Sequence, residues 1–97
     1  MKKTFPLQAA GKDDARVRDK IRQEINKYVR RERKKKLPEG FEQWELACRV
    51  GASATTAEVM AAKEVGGAID KVAAAGATSV YVEIIAVAAH RTFKRVL

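Results

Sequence analysis

Seven of the ten residues from Lys27 to Lys36 are basic: Lys27, Arg30, Arg31, Arg33, Lys34, Lys35 and Lys36, against Glu32 alone, a net +6. A row of such side chains matches the phosphates along a nucleic-acid strand. Neutralising those phosphates releases counterions, so the affinity of such a contact falls steeply with salt. The charge is concentrated: residues 1–36 carry fourteen Lys/Arg and five Asp/Glu, a net +9, whereas residues 37–97 sum to −1, which gives the chain its +8. At 100° per residue on a helix, Arg16, Lys20, Lys27, Arg31 and Lys34 line one flank of an apolar stripe, and Arg22 and Arg33 lie on the other. The resulting ridge is about 27 Å long at 1.5 Å per residue. A charged helix face is more often only a solvated one, and Asp19, Glu24 and Glu32 offer partners to Arg22, Lys27 and Lys36 at i,i+3 or i,i+4. Those pairings cannot absorb the +6, which repels itself unless an anion offsets it. Nucleic acid, with RNA favoured, is therefore the expected partner. Arg30, Arg31, Arg33, Lys34, Lys35 and Lys36 carry the phosphate contacts, helped by Arg16, Lys20 and Lys27. Phe41 and Trp44 stand near the following loop and offer rings for base stacking, although a tryptophan on an alternating face is more often core.

Other reactive residues form no such pattern. Glu45, Glu58 and Glu83 are expected on one open sheet face with Arg49, where acids are common and no fourth ligand accompanies them, so no metal is expected. His90 is the only histidine and no Ser or Cys nucleophile is tied to it by spacing. Cys48 alternates with Leu46 and Val50 and fills core space. Gly66-Gly67 lacks both phosphate-loop spacings. The segment after the first strand, LQAAGKDD, puts two acids where an acylphosphatase would seat its phosphate. No cofactor, catalytic residue or small-molecule substrate is expected, and the chain reads as a non-enzyme.

The elements that must position the basic residues follow from periodicity. KKTFPL is a short strand with Phe5 and Leu7 on one side and Pro6 limiting its ladder. Asp13 or Asp14 caps a helix whose stripe is Val17, Ile21, Ile25, Tyr28 and Val29, running to Lys36 before Leu37-Pro38-Glu39-Gly40 stops it. EQWELACRV alternates as a strand with Trp44, Leu46, Cys48 and Val50 on one face. Residues 55–76 allow two readings. Thr55-Thr56-Ala57-Glu58 resembles a capping box opening one long helix. Alternatively, Thr56 to Ala62 is a strand with Ala57, Val59 and Ala61 on one face. A helix then starts near Lys63 and buries Val65, Ile69 and Val72, with its glycines in the first turn for close packing on the sheet and Gly76 closing it. TSVYVEIIAVA is the last strand, and Arg91, Lys94 and Arg95 add bases beyond it. The second reading gives a two-layer α+β βαββαβ domain of the ferredoxin-like plait over residues 1–97. The first gives a three-stranded βαβαβ layer. A rival function is a structural or interaction module, with the open face around Tyr81, Ile85 and Val87 pairing two copies as a homodimer.

One cysteine makes no internal disulfide, so a reducing cytoplasm is expected. MKKTFPLQAAGKDD lacks the apolar run of an export signal. No stretch of about 18 apolar residues is present to span a membrane.

KTFPL at the start, KYVRRERKKK, LPEG with a tryptophan soon after, ELACRVG and VYVEI together resemble a small family of bacterial proteins known as a domain of unknown function. The resemblance covers nearly the whole chain. It implies a bacterial cytosolic domain and transfers no functional residues, since that family has no assigned activity.

Overall fold

The computed structural model describes residues 1–90; Arg91, Lys94 and Arg95 lie outside the described residues. Strand β1 (Lys2–Pro6) leads to helix α1 (Asp14–Arg33), strand β2 (Gln43–Gly51), strand β3 (Glu58–Met60), a 3-10 turn (Ala62–Glu64), helix α2 (Val65–Ala74) and strand β4 (Ser79–Ala89). The architecture is α+β, with both helices on one face of a four-stranded antiparallel sheet. The long-helix reading of residues 55–76 is overturned, because β3 precedes a helix that starts only at Val65.

The strand order β1-β4-β2-β3 differs from that of a ferredoxin-like plait, which places its first and third strands in the centre. Here β4 and β2 are central. They are the longest strands, of 11 and 9 residues, and so have the length to pair with a neighbour on each side. The five-residue β1 ends in a proline, and the three-residue β3 is shorter still. Both suit an edge.

Local chemistry explains the boundaries. The Asp13 carboxylate accepts from the Arg16 N–H at 3.0 Å and caps α1. The helix stops at Arg33, three residues earlier than expected. The Lys34 and Lys35 N–H groups instead donate three residues back, to the carbonyls of Arg31 and Glu32, in long bonds of 3.3 Å. Beyond the helix, the Lys35 carbonyl accepts from the Trp44 indole N–H at 2.9 Å. At the far end of the other helix, Gly76 at φ +91° and the bonds from Gly76 to Ala73 and from Ala77 to Val72 form a Schellman stop.

The β2–β3 connection turns at residues 53–56, where the Thr56 hydroxyl accepts from the Ser53 N–H at 3.1 Å. Thr55-Thr56 thus closes a hairpin turn rather than capping a helix. The strand that follows is shorter than expected. Glu58 pairs with Val50 and so shares the helix-facing side, while Val59 pairs with Arg49 and lies on the open face, 80% exposed. Of the three carboxylates expected together, Glu58 therefore leaves the open face.

Both helices bury their stripes over the sheet. Val17, Ile21 and Ile25 from α1 and Val65 and Ile69 from α2 join Phe5, Leu7, Cys48, Val50, Val80, Val82 and Ile84 in one cluster. The glycines of α2 do not pack on the sheet as expected. A Cβ at Gly66 would meet only the Arg22 side chain, and one at Gly67 would meet nothing within 4 Å.

Candidate nucleic-acid interface

The apolar stripe of α1 turns the opposite side of the helix to solvent, and the basic residues sort themselves around that axis. Lys27, Arg30, Arg31 and Lys34 come together on the outer face and line a shallow depression of ≈ 290 Å³. All four are exposed, and none forms an ion pair with a described carboxylate. Arg31 is held with its guanidinium carbon 5.7 Å from the centre of the Tyr28 ring, an arrangement in which the ring's negative face attracts the cation.

The remaining candidates disperse. Arg16 and Lys20 lie two turns and more earlier along α1, in a groove that also contains Asp19 and Glu24. Glu24 pairs there with Lys3 at 2.8 Å rather than with Lys27. Acid therefore interrupts the expected continuous ridge. Arg33 points across the helix layer into a cleft of ≈ 370 Å³ between α1 and α2, shared with Arg22, Asn26 and Lys63. Lys35 pairs with Glu32 at 2.7 Å, the partner expected for Lys36, and Lys36 is exposed beyond the helix.

Asp70 of α2 decides which bases stay free. It binds Arg18 at 3.2 Å and also pairs with Arg22, which in turn holds Asp19 at 2.9 Å. These contacts link the two helices and occupy the bases on that flank. Neither Asp70 nor Lys63 was singled out from the sequence. Each stands thirty or more residues from its neighbours on α1, and no local pattern connects them.

The ring candidates have internal roles. Trp44 fastens the segment after α1 through its bond to Lys35. Phe41 stacks on His90, with ring centres 4.9 Å apart and planes 23° off parallel.

On the open face, Arg49 binds Glu83 at 3.3 Å and reaches the carbonyls of Ala54 and Ala57 at 3.1 and 3.4 Å. Tyr81 donates to Glu83 at 2.8 Å. That bond from Tyr81, more than the nearby charge of Arg49, holds the Glu83 carboxyl below the ordinary glutamate range against the opposing effect of burial, and the same bond raises the Tyr81 phenol. A carboxylate held low in the folded state stabilises the protein above its ordinary value of 4.5, and that contribution is lost as pH falls through the lower, folded value. Glu83→Gln is therefore expected to flatten the acid limb of stability below pH 4.5, read as urea midpoints at neutral and acid pH. An unchanged acid limb would mean that Glu83 contributes nothing to it. Cys48 is fully buried, and burial pushes its thiol up against the pull of Arg33. No cluster of three or more His, Cys, Asp or Glu able to hold a metal occurs among the described residues. Among them, too, no helix is long and apolar enough to cross a membrane.

No curated protein and no solved structure matches the chain. A family model does, over residues 1–95, and its extent agrees with a fold whose first strand pairs with its last. The chain belongs to that family, the family of unknown function DUF6172.

Proposed function

We propose that the protein is a non-enzymatic nucleic-acid-binding domain that holds structured RNA through the outer face of α1 and the segment after it. One observation supports this reading above the others: four bases, Lys27, Arg30, Arg31 and Lys34, share a depression with no carboxylate partner. Unpaired cations at that spacing gain from phosphates what they lack inside the molecule. Lys36 extends the contact past the helix, Lys35 must first be released from Glu32, and Arg33, directed into the α1–α2 cleft, takes no part unless it swings out. The sheet presents no platform of aromatic rings to read bases, which favours recognition of backbone and shape, the mode by which helical RNA is bound. A reducing cytosol suits the free thiol of Cys48.

The test is fluorescence anisotropy with labelled single-stranded RNA, hairpin RNA and duplex DNA at about 50 and about 200 mM salt, the range over which phosphate contacts weaken strongly. Hairpin RNA is expected to retain measurable binding at the higher salt. Equal, weak binding of all three that vanishes there would reduce the patch to unspecific basicity.

A second reading, self-association, is favoured by the apolar residues on the uncovered sheet face, where Ile85 and Val87 are 39% and 49% exposed.

A further inference from the structure

Backbone hydrogen bonds can be followed strand by strand across the sheet. The Leu7 N–H donates to the Thr78 carbonyl and the Ile84 N–H to the Met1 carbonyl, so the even-numbered residues of β4 face β1 and the odd-numbered ones face β2. Glu83 pairs with Arg49, so Arg49 turns its backbone to β4, while Cys48 and Val50 turn theirs to β3. Their partners there are Met60 and Glu58. Val59 is left with its N–H and C=O directed off the outer edge of the sheet, and its side chain is 80% exposed. Beside that edge, between β3 and α2, runs a groove of ≈ 900 Å³ whose walls include Met60, Lys63, Gly67, Lys71 and Val72.

Three features of this edge are unused within the molecule. Val59 offers one donor and one acceptor. Glu58 and Lys63, on the groove side, form no ion pair with any described residue. Gly67 sits in a helix, where glycine is unfavourable relative to alanine, yet a Cβ there would touch nothing. Its absence keeps the groove wide at mid-wall.

We propose that the β3 edge is where two copies of this chain meet, antiparallel, about a two-fold axis at Val59. This keeps the self-association of the second reading but moves its contact from the open face to the sheet edge, and it is independent of RNA binding. The two-fold supplies what each copy lacks. Each Val59 N–H donates to the other copy's Val59 carbonyl. Glu58 of one copy falls opposite Met60 of the other, on the groove side and next to that copy's Lys63, so the charges complement each other twice. The exchanged Met60 side chains enter the grooves beside Gly67. Such a contact is isologous and closes at two copies, joining the sheets into one of eight strands.

The experiment is light scattering coupled to gel filtration, backed by sedimentation over a concentration series, on the full chain with circular dichroism as the check of fold. A concentration-dependent dimer is expected. Val59→Pro removes a donor that no internal bond uses and is expected to raise the dimer dissociation constant at least about tenfold, the worth of two ordinary hydrogen bonds. Glu58→Lys should also weaken the dimer, and Glu58→Lys combined with Lys63→Glu should restore it, which a merely misfolded variant would not do. A dimer that survives Val59→Pro but is lost in Ile85→Lys would overturn the edge contact and move the interface to the open face. A protein monomeric at every concentration would overturn self-association itself.

Discussion

Reversing Arg30, Arg31 and Lys34 together to glutamate is expected to weaken RNA binding by about 100-fold at low salt and to lower the slope of log affinity against log salt by about 2 to 3, the share of three phosphate contacts. The loss should be alike for every RNA sequence, because contacts to phosphate carry no base information. The fold should survive, since all three side chains are exposed and none pairs with a described carboxylate. The informative comparison is Arg16→Glu with Lys20→Glu. Those positions share their groove with Asp19 and Glu24, and the pair is expected to cost much less than the triple change. Equal effects from the two sets would mean that net charge alone drives binding and that the depression on the outer face of α1 has no special part.

The second large effect is on stability. Gly51 is buried at the end of β2, and a Cβ built there would stand 2.6 Å from the Ala57 Cα and 2.8 Å from the Ala57 nitrogen. These are backbone atoms of the chain returning from the hairpin turn, so no side-chain rotation relieves the clash. Gly51→Ala must push β2 and β3 apart, at an expected cost of about 2–3 kcal/mol, the scale of overpacking in a tight site. In a domain of this size that lowers the melting temperature by about 10–20 °C. Gly67→Ala is the matched opposite. It has open space and a helical backbone, and should stabilise by about 0.5–1 kcal/mol. Thermal unfolding of the two variants beside the parent decides both. A Gly51→Ala protein as stable as the parent would show that the hairpin yields without cost.

Much of this architecture was legible from periodicity. The stripe from Val17 to Val29 and the alternation from Val80 to Val87 each recur often enough to identify the element and its buried side, and the structure buries Val17, Ile21, Ile25, Val80, Val82 and Ile84 and half-buries Tyr28 and Val29. Endings were harder to read. The segment just past α1 is fastened by the Trp44 indole on the Lys35 carbonyl, a contact between residues nine apart. The strand order depends on which strands can serve two neighbours, a property of the whole sheet. For the candidate site, composition located the basic segment, but its partition did not follow from charge. Arg33 and Lys27 carry the same single charge, and only the packing of α2 turns one into a cleft and leaves the other on the outer surface. Likewise Asp70 removes Arg18 and Arg22 from the free bases only once the two helices are side by side.

The tether between Trp44 and Lys35 gives the molecule an internal optical reporter. Trp44 is the only tryptophan of the chain, and its indole nitrogen is bonded to the backbone of the basic segment just past α1. Indole emission shifts with the polarity and hydrogen bonding around the ring. Any anion that draws residues 34–36 toward itself therefore changes the colour and intensity of the protein's own fluorescence, without a dye attached to either partner.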